Sequence, residues 1–65
     1  MKIKRDAIKK IMIEKEMTIK NLAEKAEISY ATASRVTTKT LDCNYRTIGK
    51  LARALDVDAT RIIEA

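Results

Sequence analysis

Residues 18–38 read TIKNLAEKAEISYATASRVTT. Thr18 is the type of residue that caps a helix N-terminus, because its side-chain oxygen can accept from a free backbone N–H two or three residues on. It opens a helix over 19–26 whose inner face is Leu22, Ala23 and Ala26. Asn21 stands where a capping box takes Glu or Gln, so the box is read as incomplete. Glu27, Ile28 and Ser29 form a three-residue turn, and Ser29 caps a second helix over 30–37. Thr32, Thr37, Thr38 and Thr40 weaken that helix intrinsically, since β-branching restricts the side chain against the preceding turn. Packing must therefore hold it.

Two helices joined so tightly must approach closely, and Ala23 is small at the point of approach. Leu22, Ala26, Ile28, Ala33 and Val36 are apolar where such a unit faces the rest of a domain. This is the helix-turn-helix pattern, whose second helix enters the DNA major groove. With Ala33 at 0° and about 100° per residue, Val36 falls near −60°, Ser34 near 100°, Thr38 near 140°, Ala31 near 160° and Arg35 near 200°. Tyr30 sits at the flank, near 60° on the same rough scale. The outward face thus carries short side chains plus Arg35. Any amphipathic helix has a polar outer face; the turn spacing and Ala23 are what favour the DNA reading.

Around this unit the chain continues in short helices. Ala7, Ile8, Ile11 and Met12 form an apolar stripe in a first helix over 5–16, with Asp6 as candidate N-cap and Ile13 off the stripe. Residues 38–43 are polar and loop-like. Asn44 caps a fourth helix to Leu55, in which Ile48, Leu51, Ala52 and Leu55 keep the i, i+3, i+4, i+7 spacing. Asp58 caps a last short helix bearing Ile62 and Ile63. The expected fold is all-α: one compact five-helix domain over 1–65, without strands, repeats or linkers.

Composition narrows the function. With 65 residues there is room for one domain of modest stability. His is absent, which removes His-based catalysis and His metal ligands. The single Cys, Cys43, cannot close an intramolecular disulfide and fits a reduced, cytoplasmic setting. No metal, cofactor or enzymatic activity is expected. The longest uncharged stretch, Ile28 to Ser34, is too short to span a bilayer, and no signal peptide is visible. The net charge of +5 is uneven: residues 1–10 carry +4 and 29–50 carry +3, while the other two stretches are slightly acidic. Such blocks fit a polyanion partner or a solvated lysine-rich surface. The run Lys2 to Arg5 reads equally as an arm tracking phosphates or as a frayed terminus.

The order and spacing of these pieces resemble the Cro/C1-type helix-turn-helix family of phage repressors and related small bacterial regulators. The likeness runs from about Ala7 to Ile63 and implies the lambda-repressor-like fold. Carried over by position, the family's base-reading sites fall on Ser29, Tyr30, Ala31, Ser34, Arg35 and Thr38. Its phosphate-contacting sites fall on Lys20, Lys39, Thr40, Asn44, Tyr45 and Arg46, with Ile19 where members usually have Gln. Glu27 stands where the family often has Gly, which argues against a left-handed backbone there. An Arg–Glu pair common in the family is replaced by Met12 and Thr37, an uncharged substitution on both sides. A Pro common before the fourth helix is missing in the region of Cys43.

The resemblance implies a sequence-specific regulator of transcription that binds double-stranded DNA at a palindromic operator through its third helix. It further implies a weak homodimer, tightened on DNA, cytoplasmic and nucleoid-associated, with no membrane role. Ile62 and Ile63 could cap the core, with one or other left over as a dimer contact, because apolar pairs at a chain end rarely stay exposed without reason. The alternative is a protein-interaction module on the same fold, such as an antitoxin or an anti-repressor partner, since fold does not fix function.

Overall fold

The computed structural model describes residues 1–39 and 42–64. Four α-helices span Arg5–Glu14 (α1), Ile19–Ala26 (α2), Tyr30–Thr38 (α3) and Tyr45–Leu55 (α4), followed by one 3-10 turn at Ala59–Arg61. The expected fifth α-helix is thus only a single turn. Asp58 does cap it: its Oδ1 accepts from the backbone N–H and hydroxyl of Thr60, both at 2.9 Å. Those bonds, the backbone one first, hold the Asp58 carboxyl below its usual range. The chain then leaves the turn, because Ile62 drops into the core and Ile63 pairs with the N-terminal segment.

The caps explain why the helices begin where they do. Thr18, Ser29 and Asn44 each accept from the backbone N–H three residues on, at 3.1, 3.1 and 2.9 Å. The box at α2 is complete, contrary to the sequence expectation: Asn21 Oδ1 accepts from the Thr18 N–H at 3.1 Å. The shorter amide reaches back as Glu or Gln would. At α1 the expectation fails. Lys4 is the N-cap, with no side-chain cap bond, and Asp6 lies in the first helical turn. There its negative charge faces the positive end of the helix dipole.

Three acidic residues take left-handed backbone at helix ends: Glu16 (φ 53°), Glu27 (φ 57°) and Asp56 (φ 57°). Glu27 corrects the expectation that a non-glycine residue there keeps out of this region. The geometry is enforced by two backbone bonds, Glu27 N–H to Glu24 O at 3.3 Å and Ile28 N–H to Ala23 O at 3.0 Å. Left-handed backbone costs an L-residue about 1–2 kcal/mol, and glycine returns roughly 0.5–1 kcal/mol of that through a more flexible unfolded chain. Glu27→Gly should therefore stabilise the domain by roughly 0.5–1 kcal/mol. In a thermal melt that is a rise of several degrees; an unchanged or lower Tm would contradict the strain assigned to Glu27.

α2 packs against α3 and α4, and α1 against α3, around Ile8, Ile11, Leu22, Ala33, Val36, Leu51 and Leu55. Met12 and Thr37, the uncharged pair, are both buried, and the Thr37 hydroxyl donates to Ser34 O at 2.8 Å. Ile13 is 77% exposed, as its position off the stripe predicts.

The N-terminal run is neither an arm nor a frayed end. Ile3 is fully buried, while Lys2 and Lys4 on either side of it point outward. Isolated bridges pair Lys2 with Asp42 and Ile3 with Ile63. Lys4 N–H donates to Ile62 O at 2.7 Å, Glu64 N–H to Lys2 O at 2.8 Å, and Cys43 N–H to Met1 O at 2.7 Å. The Met1 ammonium also binds the Asp42 carboxylate, which lowers that carboxyl from its ordinary range. Residues 1–4 therefore strap the approach to α4 onto the C-terminal segment.

Candidate nucleic-acid interface

The burial pattern of α3 sets the orientation of the site. Ala33, Val36 and Thr37 are buried against α1 and α2, so the opposite side of the helix faces outward. Tyr30, Ala31, Arg35 and Thr38 are exposed, with Tyr30 at 61%. Ser29, just ahead of the helix, is exposed too, and Ser34 is half-buried.

Not all of these polar groups are equally available. The Ser29 hydroxyl accepts from Thr32 N–H and donates to the Thr32 hydroxyl at 2.9 Å. The Thr38 hydroxyl donates to Ser34 O at 2.9 Å, the carbonyl that Thr37 also uses. Ser29 and Thr38 therefore spend their protons inside the helix and keep only acceptor capacity for a partner. Arg35 has no ion-pair partner among the described residues. Its five N–H donors make it the strongest hydrogen-bonding group on the face.

Exposed cations and helix starts lie in the segments that adjoin α3 in the chain or pack against it. Lys20 is exposed in the first turn of α2, and Lys39 is exposed just after α3. Asn44 serves as the cap of α4 through its Oδ1, which leaves its side-chain NH₂ to donate outward. Tyr45, 82% exposed, and Arg46, also exposed, occupy the first turn of α4. Free N–H groups and the helix dipole there favour a bound anion. Thr40 lies outside the described residues. Ile19 packs at the edge of the core rather than offering a polar contact. Together with Met12, Ile13 and Met17 it lines a shallow apolar groove beside the C-terminal end of α3.

The two residues expected at a dimer contact separate. Ile62 is fully buried in the core of the same chain, so its side chain is not available to a second copy. Ile63 is half-buried. Cys43 is half-buried as well, and burial raises its thiol pKa. Among the described residues no group of three His, Cys, Asp or Glu side chains could hold a metal ion. No described helix is long and apolar enough to cross a membrane.

One residue that positions the face was not found from sequence. Arg5 Nη1 donates to the Thr38 carbonyl at 2.7 Å, tying the start of α1 to the end of α3. The last carbonyls of a helix have no partner within it, so this charge-assisted bond replaces an internal one. It supports a helix whose threonines give it little intrinsic stability. No local signal announces it, because the two residues are 33 positions apart.

Residues 7–65 match the family model of the Cro/C1-type HTH DNA-binding domain. No curated protein and no solved structure matches the chain.

Proposed function

The chain belongs to the Cro/C1-type helix-turn-helix DNA-binding family, and from that membership we propose that it is a sequence-specific transcriptional regulator that reads double-stranded DNA with α3. The observation that supports this reading best is the outward face of α3. It carries short side chains and Arg35, which has no ion-pair partner among the described residues, and Lys20, Lys39 and the N-terminal turn of α4 supply exposed groups for phosphates. Short side chains let the helix approach base edges, while the flanking groups bind phosphates and fix the register. One such helix reaches only a few base pairs, so two copies on a near-palindromic operator give useful specificity. Ile63 is the C-terminal apolar residue still available to a weak homodimer contact.

The test is the salt dependence of binding to a duplex. Each phosphate that the protein neutralises contributes about 0.9 to the slope of log K against log salt. Lys39→Ala should lower affinity similarly for every sequence and reduce the slope by about 0.9. A variant with unchanged slope would remove Lys39 from the interface, and wild-type protein with no slope would remove the DNA reading itself.

A second reading, a protein-interaction module such as an antitoxin or an anti-repressor partner, draws on the apolar groove of Met12, Ile13, Met17 and Ile19. Salt-dependent retention on heparin would favour the DNA reading over it.

A further inference from the structure

A second concentration of positive charge shares only Arg46 with the groups placed above around α3. A cleft of about 230 Å³ opens between the C-terminal end of α2 and the flank of α4. Lys25 and Glu27 line one wall; Arg46, Gly49, Lys50 and Arg53 line the other. Arg46, Lys50 and Arg53 stand at i, i+4 and i+7, so they share one side of α4. None of the four cations has an ion-pair partner among the described residues. The Glu27 carboxylate offsets only one of their charges. At the end of α2 the carbonyls of Ala23 and Glu24 are covered by the N–H groups of Ile28 and Glu27, and the Lys25 ammonium in the last turn offsets the negative end of the helix dipole.

The second observation concerns the wall itself. Gly49 is the chain's only glycine and sits inside α4, where glycine is less favourable than alanine. The usual reasons for a glycine do not apply. Its φ is not positive, and a Cβ built on it would meet nothing within 4 Å. Neither backbone nor internal packing requires it. What it leaves is a bare stretch of helix wall among four cations, and close approach of backbone to a ligand is one of the recognised uses of glycine.

We propose that this cleft binds a phosphate group, with Gly49 letting the phosphate oxygens come down onto α4 between Lys25, Arg46, Lys50 and Arg53. The guanidinium forks suit phosphate geometry, and the lysines add point charge. The group is either a free phosphate or a phosphodiester of DNA beyond the bases that α3 reads; Arg46 joins the cleft to the first turn of α4 in the second case. With a free phosphate the site stands apart from what α3 binds; with a DNA phosphodiester it rests on the DNA reading proposed above.

Amide resonances of the full chain test it, those of Gly49 and Lys50 for the cleft and those of Ala31 and Arg35 for α3. Sodium phosphate, sodium chloride at matched ionic strength and a short DNA duplex are titrated separately. The cleft resonances should move saturably with phosphate, which assigns a free ligand, or with the duplex alone, which assigns the DNA backbone. Gly49→Ala should raise the Tm and yet weaken that response by about tenfold, a factor worth ~1.4 kcal/mol. A stabilised variant that binds as well as the wild type would overturn the proposal. So would cleft resonances that stay still in all three titrations, or that follow chloride as they follow phosphate. If the duplex moves only the α3 resonances and phosphate moves nothing, the cleft proposal fails while the groove reading stands. If the cleft responds and α3 does not, the groove reading fails alone.

Discussion

Arg35→Ala should relax the domain's preference at one symmetry-related pair of operator positions while leaving the rest of the consensus intact. The expectation follows from reach and geometry. Ala31 is short, Ser34 is half-buried, and Ser29 and Thr38 spend their hydroxyl protons inside the helix. Arg35 alone on the face presents a planar fork, which matches the O6 and N7 acceptors of guanine. A good bidentate pair is worth about 1–3 kcal/mol of discrimination, or roughly 5- to 150-fold. Tyr30, 61% exposed at the first turn of α3, is the expected second contact, to a neighbouring base or phosphate. Competition binding with operators substituted one position at a time provides the measurement. Uniform weakening across all of them would recast Arg35 as a phosphate contact. Undiminished affinity and specificity would mean that this side of α3 does not face DNA.

Ala23→Leu should destabilise the fold by about 1–3 kcal/mol through overpacking. Ala23 is 7% exposed in α2, which packs on both α3 and α4. Its carbonyl also receives the Ile28 N–H that shapes the turn, so a shift of α2 to relieve the clash disturbs the entry to α3. For a domain of this size each kcal/mol lowers Tm by about 4–8 °C. A native-like Tm would show that the two motif helices do not meet at this residue.

What the sequence disclosed was mostly local. The caps at Thr18, Ser29, Asn44 and Asp58 act on N–H groups two or three residues away, so a short window contains the whole interaction. The outward face of α3 follows from the 3.6-residue period once Ala33 and Val36 are placed inside. Glu27 misled because its left-handed backbone is imposed by bonds to the preceding turn, against the preference of its side chain. Ile3 went unread as core, although Lys2-Ile3-Lys4 alternates with the period of a strand. Its partners lie near residues 42 and 63, and pairing over that separation leaves no trace in a short window. The site divides along the same line. Periodicity shows which residues of α3 face out, whereas the hydroxyls already committed, the Arg5 bond to Thr38 and the meeting of Lys25 with α4 depend on packing between elements.

Selection from a random pool of double-stranded DNA, followed by sequencing of the bound fraction, tests the central claim most directly. The account predicts a short near-palindromic consensus with a guanine in each half-site, lost at that position in Arg35→Ala. Enrichment of no sequence over the starting pool, at a salt concentration where the protein still binds, would contradict it.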